Sequence, residues 1–184
     1  MFSEFEEVPK SSLGRLFGDL VQRSFDDLQV GNPQLRGYVR DLLCRFVRTD
    51  ALFRIKDPGG RGIETVVELL IEGDRAKTME DGVSYTIDVQ RHTGDYALFM
   101  SGIFRAYVER YGYLDFYLET GPRAYRATAG LERGLGFRPG PYEILAREFE
   151  HLSGAIDYMK KVYFGVATMQ GDLKEIARRF SLWN

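Results

Sequence analysis

The sequence predicts a mainly α-helical single domain of about seven helices. Apolar residues recur at three- and four-residue spacing through most of the chain, which is typical of helices with one buried face. Glycines and prolines separate these periodic segments. The length of 184 residues suits one domain, and 44% apolar with 28% charged residues is an ordinary globular composition.

The first ten residues are predicted to form a flexible acidic N-terminal arm, and residues 11–184 a single helical domain. The first helix is expected to start at Ser11 or Ser12, since either side chain can cap it. Its apolar residues share one helical face: Leu13, Leu16, Phe17, Leu20, Val21, Phe25 and Leu28.

Gly31 is expected to end this helix, and Asn32-Pro33 to begin the second. Asparagine is a capping residue, and the N–H that proline lacks is not needed in the first turn of a helix. The apolar face of the second helix consists of Leu35, Tyr38, Val39, Leu42, Leu43 and Phe46.

The helical pattern stops between Thr49 and Gly62, where the turn sequence Asp57-Pro58-Gly59-Gly60 occurs. A small β-hairpin near residues 53–63, or an ordered loop, fits this stretch. A third helix is predicted from Ile63, with Gly73 just after its last residue.

Residues 83–89 carry two conflicting patterns. Apolar and polar side chains alternate strictly, as in a strand. Tyr85, Val89 and His92 also fall at helical spacing. Helix is favoured, because the neighbouring segments are helical and few partner strands are available.

Gly94-Asp95 is interpreted as a joint between two helices, with glycine closing one and aspartate capping the next. The second of these carries Gly102 in its interior, which costs about 1 kcal/mol relative to alanine. Such a glycine indicates a neighbour that packs closely against the helix backbone.

Gly112 is expected to end that helix, and residues 114–128 to form another. Gly121-Pro122 is predicted to kink or divide it. Residues 130–141, rich in glycine and proline, are predicted to form the longest loop and a mobile cover.

The longest amphipathic helix is expected after this loop. Its seam comprises Leu145, Phe149, Leu152, Ile156, Met159 and Tyr163, and it can pack within a bundle or against a second copy of the chain. Asp172 and Glu175 form a capping box before a last helix.

Charge, cysteine count and hydropathy exclude several function classes. The net charge is −2 with interspersed signs, so nucleic-acid binding lacks its electrostatic driver. No apolar run approaches the roughly 20 residues that cross a bilayer. The acidic N-terminus is unlike a secretory signal, and the lone Cys44 suits a reducing compartment, so a cytoplasmic location is expected.

Two pairs of side chains suggest a metal site. Glu148 and His151 lie three residues apart and share a helical face, as in carboxylate-bridged di-metal bundles. His92 and Asp95 can supply a second pair. If the pairs face each other they can hold iron, manganese or zinc, although a complete di-iron pattern needs more ligands. The alternatives are haem ligation by the two histidines, or histidines hydrogen-bonded within the fold without any cofactor.

The aromatic run from Tyr96 to Tyr125 suggests either an aromatic core or a pocket for a flat ligand. In the second interpretation the binding residues are Tyr96, Phe99, Tyr107, Tyr117 and Tyr125.

The string His92-x-Gly94-Asp95-x-x-Leu98-Phe99, with the tyrosine-rich segment after it, resembles a group of bacterial helical proteins to which no function is assigned. The resemblance implies a helical bacterial protein and no particular activity.

The leading functional hypothesis is a non-enzymatic cytoplasmic binding or adaptor protein. Its partner would be another protein, or a second copy of the chain through the 145–163 seam. Familiar phosphate-binding, metalloprotease and hydrolase signatures are absent from the sequence. A metal-dependent enzyme using His92, Asp95, Glu148 and His151 is the first alternative. A small-molecule sensor with an aromatic pocket under residues 130–141 is the second.

Overall fold

The computed structural model describes residues 12–80, 82–138 and 140–163. In these ranges the chain is a single all-α domain of nine helices without strands, which confirms the predicted fold class. The helices are α1 Ser12–Asp27, α2 Pro33–Phe46, α3 Thr49–Leu52, α4 Val66–Lys77, α5 Val83–Ile103, α6 Arg105–Arg110, α7 Leu114–Gly134, α8 Tyr142–Arg147 and α9 Phe149–Tyr163. The number exceeds seven because α3, α6 and α8 are short helices beside the six longer ones.

Helix α5 is the centre of the domain and packs against α7, α4, α9 and α2. All its residues from 92 to 103 are buried, so this helix is covered on every side. Residues 83–89 form its first turns, which confirms the helical interpretation. The predicted joint at Gly94-Asp95 is wrong: α5 continues through both residues, because each is held by packing or hydrogen bonds to other helices.

Two glycines let neighbouring side chains approach the α5 backbone. A Cβ added at Gly94 would lie 2.7 Å from the Tyr125 ring, and one at Gly102 would lie 2.6 Å from Ile156. The close neighbour expected at Gly102 is therefore confirmed. The helix propensity lost at these glycines is offset by tight packing of α7 and α9 against α5.

The predicted 145–163 seam is buried inside this chain. Leu145, Phe149, Leu152, Ile156 and Met159 are at most 1% exposed, and α9 packs against α5 and α1. These five seam residues therefore pack within the chain, and Tyr163, the last member of the seam, is half-buried. The seam also spans two helices, because α8 ends at Arg147 and α9 begins at Phe149.

The start of α2 agrees with the sequence. The Asn32 side chain accepts hydrogen bonds from the backbone N–H groups of Gln34 (2.9 Å) and Leu35 (3.4 Å). The end of α1 differs from the prediction, because the helix ends at Asp27 and not at Gly31. Gln29 adopts φ 57°, a left-handed conformation that ends the helix earlier.

Residues 53–63 form an ordered loop, since the only pairing within them is one antiparallel bridge between Lys56 and Gly62. Helix α4 starts at Val66, later than predicted, because Thr65 caps it by accepting from the N–H of Glu68. Gly73 lies inside α4, against the Gln90 side chain of α5. Its prediction as a residue beyond the helix end is wrong, because contact with α5 overrides the local preference.

Helix α7 is longer than predicted. It contains Pro122 without being divided there, and it runs to Gly134. The connection to α8 therefore covers only residues 135–141, and the predicted cover of residues 130–141 is partly helical.

None of the helices in the described ranges has the length and hydropathy needed to cross a membrane. The predicted acidic arm and the Asp172–Glu175 capping box lie outside the described residues.

Candidate functional site

Three side-chain hydrogen bonds converge on the buried carboxylate of Asp95. We define Tyr38, Arg45, Asp95 and Tyr125 as the Asp95 cluster. The Asp95 side chain is 2% exposed. Its Oδ1 accepts hydrogen bonds from the hydroxyls of Tyr38 (2.5 Å) and Tyr125 (2.8 Å). Its Oδ2 accepts from Nη2 of Arg45 at 3.0 Å. The carboxylate thus connects α2, α5 and α7.

The local structure of each helix brings these groups together. Tyr38 and Arg45 are seven residues apart on α2, so two helical turns place both on the face toward α5. On α7, the Tyr125 ring lies directly against Gly94, where the missing side chain leaves room for it. The glycine beside Asp95 is therefore part of the architecture of the cluster.

Burial and neighbouring charges keep Tyr38, Tyr125 and Arg45 protonated. Burial and the negative charge of Asp95 raise the pKa of Tyr38 and Tyr125 well above the ordinary value. Both hydroxyls therefore stay protonated and donate. Burial lowers the pKa of Arg45, but the charges of Asp95 and the tyrosines outweigh it, and the net shift is upward.

The side chains of Tyr142 and Arg91 lie around the cluster. The centroid of the Tyr142 ring lies 6.1 Å from that of Tyr38 and 6.0 Å from that of Tyr125. The Arg91 guanidinium lies beside the Tyr142 hydroxyl and donates to Asp88 Oδ1 at 2.7 Å. These contacts leave the Asp95 carboxylate enclosed by protein donors and aromatic rings. Its three hydrogen bonds join α2, α5 and α7, so the cluster holds these helices together.

His92 is also committed within the fold. It is 1% exposed, its Nε2 lies 3.0 Å from the backbone carbonyl of Leu52, and its ring packs on Phe46. Because that carbonyl can only accept, Nε2 carries the proton. Burial, aided by the charge of Arg54, lowers the pKa of His92 to about 4. The imidazole is therefore neutral near pH 7 and anchors α3 to α5.

The four predicted metal ligands do not form one site. His92 and Asp95, both on α5, are hydrogen-bonded to groups of α2, α3 and α7. Glu148 lies at the α8–α9 junction, and His151 is exposed on α9, in a groove beside Arg105 and Arg147. In the parts of the chain that the structure describes, no group of three or more His, Cys, Asp or Glu residues is placed to hold a metal ion.

The five predicted ligand-binding aromatics are divided among different parts of the core. Tyr125 belongs to the Asp95 cluster, and Phe99 packs against Phe46 and Phe104. Tyr96 is buried and its hydroxyl donates to the backbone carbonyl of Glu64 at 2.6 Å.

The other two members, Tyr107 and Tyr117, lie close enough to Tyr96 for their charges to affect its pKa. Tyr117 is 8% exposed, and Tyr107 is half-buried. The structure thus brings Tyr96, Tyr107 and Tyr117 together and leaves Phe99 and Tyr125 elsewhere.

The connection between α6 and α7 presents a group of aromatic side chains, of which the sequence analysis names only Tyr107 as a binding residue. We call Tyr107, Tyr111, Tyr113 and Phe116 the aromatic corner. Tyr111, Tyr113 and Phe116 are 53%, 52% and 39% exposed. The Tyr107 and Tyr111 rings are 4.8 Å apart, and those of Tyr111 and Tyr113 are stacked 6.5 Å apart. The available signal was Gly112 between two tyrosines, which marks a turn with aromatic flanks.

The partners of Asp95 had no comparable signal. Tyr38 fits the apolar face of α2, and Arg45 is an ordinary helical cation. Both are at least 50 residues from Asp95 in sequence. Only the packing of α2 against α5 brings them together.

Comparison with protein-family models, with curated proteins and with solved structures found no match in any of the three. The resemblance seen in the His92–Phe99 string accordingly stays a prediction.

Proposed function

We propose that the chain is a cytoplasmic, non-enzymatic protein-binding domain whose binding surface is the aromatic corner. The observation that carries the proposal is the exposure of three large aromatic side chains close together in the chain, Tyr111, Tyr113 and Phe116, of which the two tyrosine rings are stacked 6.5 Å apart. Single exposed apolar residues are common on protein surfaces, but a contiguous group is typical of an interaction site. Tyrosine is also among the residues enriched at interfaces and at their energetic centres.

Backbone hydrogen bonds and the conformation of Gly112 hold the turn that carries the aromatic corner. The N–H of Tyr113 donates to the Val108 carbonyl at 2.7 Å, and the N–H of Gly112 to that of Glu109 at 3.0 Å. Gly112 adopts φ 73°, which allows this tight turn between α6 and α7. Rings held on a fixed turn lose little conformational entropy when a partner binds.

The chemistry of the corner favours a partner that presents a lysine or arginine side chain. The faces of phenol rings carry negative electrostatic potential and attract cations, most strongly when several rings lie together. The exposed carboxylate of Asp115 follows the Tyr111–Tyr113 turn in the chain, and that of Glu109, which accepts from Arg105 at 2.9 Å, precedes it. A basic side chain from the partner can therefore contact ring faces and carboxylates together.

The Asp95 cluster supports the non-enzymatic part of the proposal. Its carboxylate accepts three hydrogen bonds from protein groups and is almost fully buried. His92, the other buried residue among the predicted metal ligands, is hydrogen-bonded to a backbone carbonyl. Both therefore have structural roles that account for their positions.

The proposal is tested by titrating the full chain with short synthetic peptides that are lysine-rich, proline-rich or glutamate-rich. Binding is followed by tyrosine fluorescence and by NMR shifts of residues 107–116. The lysine-rich peptide is expected to bind, and Tyr111→Ala/Tyr113→Ala to weaken binding roughly tenfold or more, as expected for the loss of two cation–π contacts. Phe137→Ala is the matched control, since Phe137 is 61% exposed but lies between α7 and α8.

Two results would contradict the proposal. One is that no peptide shifts the resonances of the corner. The other is that the double variant binds the lysine-rich peptide as well as the wild-type chain does.

A further inference from the structure

A second surface of the protein, distinct from the aromatic corner, forms a groove along α9. The groove has a volume of about 660 Å³ and is open to solvent. Its lining includes Leu28, Arg105, Arg147, His151, Gly154 and Tyr158. The size is in the range of sites that bind small organic molecules, roughly 300–1,000 Å³.

The floor of the groove is apolar and leaves space above it. Ala155 is fully buried below, and the Leu28 and Tyr158 side chains are partly buried beside it. At Gly154 an added Cβ would meet no atom within 4 Å. This helical glycine therefore faces open space, unlike Gly94 and Gly102, which face packed side chains.

The rim of the groove carries donors that suit an anion. Arg105 donates Nε to Glu109 at 2.9 Å and Nη1 to Ser153 at 3.4 Å, and Arg147 donates Nε to Glu148 at 3.1 Å. Each guanidinium has five N–H groups, so further donors remain on both. His151 has no hydrogen-bond partner among the described residues, and its ring faces the same groove.

The lining contains two arginines, His151 and one carboxylate, that of Glu150. Glu109 and Glu148 pair with the arginines through Nε from outside the lining, so the remaining guanidinium N–H groups are the donors that the groove offers to an oxyanion. The planar fork of arginine matches both carboxylate and phosphate oxygens.

We propose that this groove binds a small organic anion with an apolar body and a terminal carboxylate or phosphate. The apolar part lies over Gly154 and Ala155, and the oxyanion meets Arg105, Arg147 and His151. This ligand site goes beyond the proposed protein-binding function and uses none of the aromatic-corner residues. Failure of one proposal therefore leaves the other standing.

The test uses four probes of similar size at constant ionic strength: benzoate, phenyl phosphate, neutral benzyl alcohol and cationic benzylammonium. Binding to the full chain is measured by calorimetry and by NMR shifts of residues 147–158. At least one of the two anions is expected to bind saturably, with the neutral and cationic probes much weaker. Tighter binding of benzoate identifies a carboxylate ligand, and tighter binding of phenyl phosphate identifies a phosphate ligand.

A groove-filling variant sharpens the test. Gly154→Leu places a side chain in the open space and is expected to abolish probe binding without loss of stability, since leucine is also the better helix former. Gly130→Leu is the control, because Gly130 is exposed on α7 and its added Cβ also meets nothing within 4 Å. This control is expected to bind the probe as the wild-type chain does.

A charge variant separates anion recognition from simple apolar contact. Arg147→Gln is expected to weaken binding of the preferred anion by roughly tenfold or more, as for loss of one charge-assisted hydrogen bond. Arg123→Gln serves as control, since Arg123 is 72% exposed against 71% for Arg147 and likewise pairs with one glutamate.

The proposal is overturned if no probe binds or if benzyl alcohol binds as tightly as the anions. It is equally overturned if Gly154→Leu leaves anion binding unchanged.

Discussion

Two groups of tyrosines lie in this protein, and their surroundings differ in nearly every respect. In the Asp95 cluster, Tyr38 and Tyr125 donate to a buried carboxylate. In the aromatic corner, the Tyr111 and Tyr113 rings are half exposed, and their hydroxyls have no hydrogen-bond partner within the described residues. The same residue type therefore holds helices together in one place and forms a surface in the other.

The difference shows what decides the role of a tyrosine. A buried hydroxyl needs a partner, because an unpaired buried donor costs about 1–3 kcal/mol. An exposed hydroxyl can bond to water, so it adds little to stability and its ring stays available to a partner. The comparison predicts large stability effects at the cluster and small ones at the corner.

Replacement of the central acceptor is expected to have the largest effect. Asp95→Ala leaves two buried tyrosine hydroxyls and the Arg45 guanidinium without their acceptor. We expect the free energy of unfolding, measured in urea, to fall by about 4 kcal/mol, in the range for breaking a buried ion pair. Asp115→Ala, at the exposed corner, is expected to leave stability nearly unchanged. Similar losses in the two variants would contradict the assigned role of Asp95.

The pH dependence of stability is expected to report on His92. Its pKa is lowered to about 4 in the folded chain, from 6.5, chiefly by burial. Between these values the unfolded state binds more protons, so stability falls as the pH drops from about 6.5 to 4. A shift of this size corresponds to about 3 kcal/mol. This loss is fully developed at and below pH 4 and absent above about pH 7.

The two histidines provide the control for this prediction. His92→Gln is expected to flatten the pH dependence of unfolding between pH 6.5 and 4, relative to the wild-type chain. His151→Gln is expected to retain it, because His151 is exposed. Equal slopes in the His92 variant and the wild-type chain would show that His92 is not held neutral by the fold.

A methyl group at Gly94 is expected to disturb the packing that positions Tyr125. The added Cβ lies 2.7 Å from the ring, so Gly94→Ala is expected to destabilise by about 2 kcal/mol through overpacking. The same change at Gly130 is expected to stabilise by up to about 1 kcal/mol, since it adds helix propensity in open space. Thermal unfolding of both variants checks the opposite signs. A neutral or stabilising effect at Gly94 would refute close packing there.

Removal of single hydroxyls compares the two tyrosine groups most simply. Tyr125→Phe loses a 2.8 Å hydrogen bond to a charged group and is expected to cost about 1.5 kcal/mol. Tyr113→Phe is expected to change stability by less than about 0.5 kcal/mol, as usual for surface positions. Urea unfolding of the two variants gives both values. A cost at Tyr113 equal to that at Tyr125 would mean that the corner hydroxyl is bonded in the fold.

The sequence predicted the fold class better than it predicted the joints between helices. Periodic apolar residues and the Asn32-Pro33 start signal are local features. The helical fold class and the start of α2 that they predict are confirmed. The sequence predicts helix ends at Gly73 and Gly94, because glycine often ends helices. Both glycines lie inside helices in the structure. Each is there because another helix passes close by, and such contacts cannot be read from neighbouring residues.

The candidate site was predictable only in part. The sequence singles out Asp95 only as a helix cap and as one of four metal ligands, whereas its observed partners Tyr38 and Arg45 come from a different helix. The aromatic run was visible in the sequence, whereas its division into core and surface depends on where α6 ends and the chain turns. Exposure is set by packing of the whole domain, so it follows only from the three-dimensional arrangement.

The account is tested most directly by measuring affinity and stability together for one residue from each tyrosine group. The lysine-rich peptide is titrated into Tyr113→Ala and into Tyr125→Phe, and each variant is also unfolded in urea. We predict that Tyr113→Ala loses peptide affinity and keeps its stability, while Tyr125→Phe loses stability and, where folded, keeps its affinity. Loss of affinity in Tyr125→Phe with full binding by Tyr113→Ala would contradict the assignment of binding to the aromatic corner.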